Sequence, residues 1–154
     1  MNLILVFKNI VDNPKCKIFV NNQELYNGSV KSNYNFDLAA IDKTVDLIIE
    51  HYDKNPDDTV VDSDNNIIRD RSFEIEKIIV DGYDFENLIW KSFFESTNGD
   101  IYNSCLFFGP NGSFKIQFKI PILKWILENT HEPGSWEEDY EYYTKAISII
   151  DTVK

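Results

Sequence analysis

Between Asn2 and Ile120 the chain is a succession of short apolar–polar alternations, each cut off by a turn signal within about eight residues. Ser113–Ile120 is the cleanest case: Phe114, Ile116 and Phe118 fall on one face, Lys115, Gln117 and Lys119 on the other. Phe73–Val80 is comparable and is closed by Asp81-Gly82. Residues 2–8, 15–20, 23–26, 34–38 and 45–52 also read as strands. Asn21-Asn22 tolerates the positive φ of a tight hairpin, and Asn27-Gly28 stops the return strand. Segments 88–90 and 104–108 are two further expected strands, and Gly109-Pro110-Asn111-Gly112 is a turn. A strand of period two has one apolar face, which it buries by pairing into a sheet and covering that face. No helical period separates these strands, so parallel crossover architecture is excluded. The expected fold is mainly β: an antiparallel, jelly-roll-like β-sandwich over residues 1–120.

The character changes after Ile120. Pro121 is placed to open a short helix through Leu123–Glu128. Ser135 and Glu138 have capping-box spacing ahead of a second helix. Trp136, Tyr140, Tyr143, Ile147 and Ile150 then recur as one apolar stripe. Such a stripe needs a cover, either the chain's own sandwich or a neighbouring subunit, which makes these five residues the candidate interface of a homo-oligomer. Residues 121–154 are expected as a helical C-terminal appendage, with one domain overall.

Charge narrows the function classes. Among 154 residues, 26 acids against 15 bases give a net charge of -11, which repels phosphate backbones and anionic membranes. Neither nucleic acid nor membrane is expected as a partner. No apolar run approaches the roughly 18 residues a membrane helix requires, and Leu3–Phe7 meets Lys8 at once, as a first strand rather than a leader does. Cys16 and Cys105 are too few for a disulfide framework or a metal motif.

Catalytic signatures are lacking: there is no Gly-x-Ser-x-Gly, no phosphate loop, and His51 and His131 are the only histidines. A carboxylate pair of glycosidase type is always available among 26 acids, so a hydrolase is only a third reading, and the expectation is a non-enzymatic protein. The loop 53–70 is more pointed. It holds six aspartates together with Asn55, Asn65 and Asn66, the oxygen donors calcium takes. Asp62-x-Asp64-x-Asn66 begins like an EF-hand loop, but Ile67 stands at the required glycine and Phe73 at the closing glutamate. Asp62 and Asp64 are the first candidates for a calcium ion, then Asp57, Asp58 and Asp70. The alternative is a solvated acidic loop whose charge Arg69 and Arg71 partly neutralise. Of the aromatics Trp90, Phe93, Phe94, Tyr102, Phe107 and Phe108, most are expected in the core. Trp90 and Tyr102 adjoin polar residues and are the candidate ligand-binding rings.

The sequence carries two resemblances. Asp70-Arg71-Ser72-Phe73 through Val80-Asp81-Gly82, with Ile18-Phe19-Val20-Asn21-Asn22-Gln23-Glu24, resembles segments of calcium-dependent xylan-binding carbohydrate-binding modules, which are jelly-roll sandwiches. This covers residues 16–82; Asn22 stands where those modules have glycine and Ser72 where they have asparagine. The whole chain, including the turn Phe108-Gly109-Pro110-Asn111-Gly112 and the segment Pro121–Glu128, resembles proteins of contractile-tailed bacteriophages, notably marine cyanophages. That resemblance implies a virion component, assembled in the host cytoplasm, with other virion proteins or a surface glycan as partner. The alternative is a calcium-dependent, lectin-like carbohydrate-binding module.

Overall fold

A computed structural model describes residues 1–39, 43–130 and 148 of the chain. The strands are β1 (Asn2–Val11), β2 (Lys15–Val20), β3 (Gln23–Ser29), β4 (Asn33–Asp37), β5 (Thr44–Tyr52), β6 (Thr59–Val61) and β7 (Ile67–Asp70). They continue as β8 (Ser72–Val80), β9 (Tyr83–Asp84), β10 (Phe93–Ser96), β11 (Ile101–Asn103), β12 (Phe107–Phe108) and β13 (Gly112–Lys119), followed by the helix α1 (Ile122–Thr130). One sheet has the order β12-β8-β1-β4 with β9 beside β8; the other runs β11-β10-β13-β5-β2-β3; β6 and β7 form a separate hairpin. The pairings are all antiparallel. The chain passes repeatedly from one sheet to the other, which makes the fold an antiparallel β-sandwich.

Strict alternation fills the space between the sheets. Leu3, Leu5 and Phe7 of β1 and Phe73, Ile75, Ile78 and Val80 of β8 face Ile18, Leu47, Ile49, Phe114, Ile116 and Phe118 of the larger sheet, all buried. In β8 the apolar spacing slips from two residues to three, and the ladder absorbs it: Val6 pairs with Lys77 but Phe7 with Ile75, so Glu76 is bulged out and Ile75 and Ile78 both point inward. Rings lock the sheets together. Phe108 stacks on Phe73 at 4.4 Å and meets Phe94 edge-on at 5.3 Å. Tyr26 and Tyr34 do the same at the opposite end, 4.7 Å apart. Gly112 is required where β13 passes β10, since a Cβ there would lie 2.4 Å from the carbonyl oxygen of Glu95.

Two expected strands are corrected. Residues 88–90 belong to a 3-10 segment, Glu86–Lys91. The Asp84 carboxylate accepts the Glu86 N–H at its start and the Ser92 hydroxyl donates to the Ile89 carbonyl at its end, so strand geometry begins only at Phe93. Residues 104–108 are not continuous either. Ser104 adopts φ 56° and turns the chain out of β11 in one sheet toward β12 in the other. The Asn21-Asn22 hairpin forms with φ of 49° and 65°. β3, however, runs through Asn27-Gly28 to Ser29 instead of stopping there. After β13, α1 buries Ile122 and Trp125; the Trp125 ring lies 5.4 Å from Phe85 and 6.0 Å from Phe118, so this helix closes a corner of the sandwich. The expected second helix and its stripe Trp136, Tyr140, Tyr143, Ile147 and Ile150 lie outside the described residues.

His51 is a buried ionisable group of this core, 2% exposed and edge-on to Phe73. Its Nδ1 lies 3.0 Å from the Pro110 carbonyl, which can only accept, so Nδ1 carries the proton and Nε2 is a buried acceptor without a partner among the described residues. Burial pulls its pKa down to about 4. The unfolded chain therefore binds a proton below the ordinary value near 6.5 while the folded chain does not, and stability falls as pH drops from about 6.5 toward 4. We expect a loss of about 2 kcal/mol between pH 6.5 and 5 in urea unfolding, and a much flatter profile in His51→Gln.

Candidate functional site

The alternation that fills the core also fixes what the larger sheet displays outside. Outward positions of β5 and β13 are matched by register: Lys115 lies opposite Ile48, and Gln117 opposite Asp46. Phe93 of β10 pairs with Lys115, and Phe19 of β2 with Ile48. One row of side chains thus crosses four strands, and in the next row Gln117 Nε2 donates to Asp46 Oδ1 at 2.7 Å. The 3-10 segment brings Trp90 and Lys91 beside these rows, Asn22 of the hairpin turn borders them, and together they enclose a cleft of about 610 Å³. That is the size of a small-ligand site.

Trp90 is held open, with 56% of its surface exposed, although Leu88 two residues earlier is buried. The local cause is the tight 3-10 turn, which seats Leu88 and leaves Trp90 outside the core. The Lys91 ammonium sits 4.5 Å from the indole centroid. Lys115 lies 5.7 Å from the Phe93 centroid and donates to Glu95 Oε2 at 2.6 Å. A flat ring edged by amide, ammonium and carboxylate groups suits a ligand with one apolar face and a hydroxyl rim.

Of the two expected ligand rings, only Trp90 is in this cleft. Tyr102 is 47% exposed but pairs with the inward-facing Phe94, which places it on the other side of edge strand β11. Lys91, Phe93, Lys115, Gln117, Asp46 and Asn22 are cleft residues that sequence reasoning missed. For Lys115 and Gln117 the signal was present in the alternation of β13; what the sequence did not provide was which strands lie on either side.

The acidic loop has a different arrangement. After a 3-10 turn at Pro56–Asp58 it forms the β6–β7 hairpin, and its aspartates separate. Asp53 pairs with Lys15 at 2.5 Å, Asp58 with Arg71 at 3.1 Å, and Asp70 with Lys54. The Asp62 carboxylate accepts the backbone N–H groups of Asn66 and Asp64, each at 2.9 Å, and the Asn66 amide; these bonds hold it below the usual carboxylate range. Asp57 and Asp64 are exposed. Among the described residues no three His, Cys, Asp or Glu side chains gather as metal ligands. The candidate set Asp62, Asp64, Asp57, Asp58 and Asp70 does not fit one calcium ion in this arrangement. A tethered ammonium stands at the centre of the loop instead: Lys54 Nζ also donates to the Gly109 carbonyl at 2.6 Å, and Thr59 Oγ1 to Asp70 Oδ1 at 2.6 Å. Arg71 completes the tie through the carbonyls of Asp12 and Asp53.

No protein-family model matches the chain, and no curated protein sequence does either. Among solved structures the chain is similar to one described as "vCBM60 in complex with galactobiose", with a TM-score of 0.50 and 9% identity over 75% of this chain and 97% of the other. The shared feature is the fold, an antiparallel β-sandwich of the kind found in a carbohydrate-binding module.

Lys54 and Asp70 are 10% and 14% exposed, so breaking their pair strands a mostly buried charge. Lys54→Met should lower stability by about 3 kcal/mol in urea unfolding. Millimolar calcium should leave the melting temperature unchanged, and Asp64→Asn should be neutral; a calcium-dependent rise in melting temperature would show that the aspartates regroup around an ion.

Proposed function

We propose that the chain is a non-enzymatic, lectin-like glycan-binding module whose ligand lies in the outer-face cleft beside Trp90. The observation that carries this reading is the exposed indole held in a cleft of about 610 Å³ on a sandwich fold shared with a carbohydrate-binding module. The sugar's C–H face would stack on Trp90, while Asn22, Asp46 and Gln117 would exchange hydrogen bonds with its hydroxyls. The carboxylates here favour binding over hydrolysis, because Asp46 accepts from Gln117 and Glu95 is paired with Lys115. A phage-particle setting, implied by the chain's resemblance to proteins of contractile-tailed bacteriophages, would present such a module to host-surface glycans; mass spectrometry of purified virions tests that setting.

A glycan array followed by calorimetry on the best hit tests the binding. Trp90→Ala should weaken binding by more than about tenfold, as expected for removal of a central aromatic contact. The same variant should change stability by less than about 0.5 kcal/mol, because the ring is outside the core. Binding that survives Trp90→Ala would move the site elsewhere.

A further inference from the structure

The glycan-binding reading leaves the cleft's charge unexplained. The chain as a whole carries a net charge of -11, yet the cleft is lined by Lys91 and Lys115 against Asp46 alone. Lys8, Lys15 and Lys77 face the carboxylates of Glu74, Asp53 and Asp84, whereas Lys17 and Lys31 lie over the Tyr52 and Tyr26 rings. Lys91 is of the second kind and lines the cleft. It lies over the Trp90 ring, and among the described residues no carboxylate reaches it as an ion pair. Lys115 is only half-buried, and its Glu95 contact uses one of three ammonium donors.

We infer that the cleft takes a carboxylate-bearing sugar, a uronic acid residue, in preference to its neutral counterpart. This rests on the glycan-binding reading and names the substrate class of that same cleft. A pyranose seated on Trp90 shields the Lys91 ammonium from water; a neutral sugar returns only hydroxyl contacts, whereas a carboxylate returns a charge-assisted hydrogen bond. Repulsion from the rest of the acidic surface does not cancel this gain. At physiological salt the screening length is about 8 Å, so distant acids are largely screened while a contact pair is not. Trp90 and Phe93 supply the stacking surface, Lys91 the anion anchor, and Gln117 and Asp46 the hydroxyl contacts.

The test is calorimetry on the full chain at about 0.15 M salt, with three probes of matched length: an oligogalacturonide, its methyl ester and a neutral galacto-oligosaccharide. The free acid should bind about fivefold more tightly than either neutral probe, the gain of one partly exposed charge pair. Lys91→Gln should erase that difference between acid and neutral probes, whereas Trp90→Ala should weaken all three probes. Equal or tighter binding of the neutral probes, or a preference for the acid that persists in Lys91→Gln, would overturn the inference while the glycan-binding reading stands. Failure of every probe to bind, together with an empty glycan array, would remove both.

Discussion

The structure turns on the register between β5 and β13. From Gly112 opposite His51 to Lys119 opposite Thr44, the two strands pair without a slip, at the centre of the larger sheet. That register sends Val45, Leu47, Ile49, Phe114, Ile116 and Phe118 into the core and Asp46, Ile48, Lys115 and Gln117 to the outer face. A shift of one residue on either strand would expose three or four large apolar side chains and bury two or more charged or amide groups, so each face specifies the other. The cleft is therefore a by-product of the core: the spacing that packs the sandwich also lines up Phe93, Lys115, Ile48 and Phe19 across four strands.

The acidic loop shows how the chain accommodates its own charge. Six aspartates close in sequence would repel one another if they shared a site. Folding separates them: Lys15 takes Asp53, Arg71 takes Asp58, Lys54 takes Asp70, amide donors stabilise the Asp62 carboxylate, and Asp57 and Asp64 are exposed. Arg71 also donates to the carbonyls of Asp12 and Asp53, which directly follow β1 and β5, so the charge pairs and the strand ends form one tie. Hydrogen bonds of Lys54 tie loop 53–70 to turn 109–112, whereas the exposed indole on the sheet face has no part in the core.

Much of the fold was legible because period-two alternation is a local signal. β2 was readable to the residue, and β5, β8 and β13 nearly so. The failures have local causes as well. Ser104 carries a left-handed backbone that an apolar run conceals, and Leu88-Ile89-Trp90 looks like a strand until the Asp84 and Ser92 side chains close a 3-10 turn around it. The cleft was half legible. Trp90 stood out by its polar neighbours, but Asp46, Lys115 and Gln117 meet it only through sheet order, which no single strand encodes. Tyr102 carried the same polar signal as Trp90 and lies on the opposite side of its strand, so polar flanks alone do not separate a cleft ring from a sheet-edge ring.

In the proposed function, the outer face of the larger sheet, and not the loop end of the sandwich, meets the ligand. Nuclear magnetic resonance of the isotope-labelled chain during titration with a bound glycan tests it most directly. The account predicts that the Trp90 indole N–H, the Gln117 and Asn22 side-chain amides, and the amides of residues 46–48 and 115–117 shift together, while those of residues 53–70 and 109–112 stay in place. Shifts concentrated at residues 53–70 and 109–112, with the Trp90 indole unmoved, would contradict it.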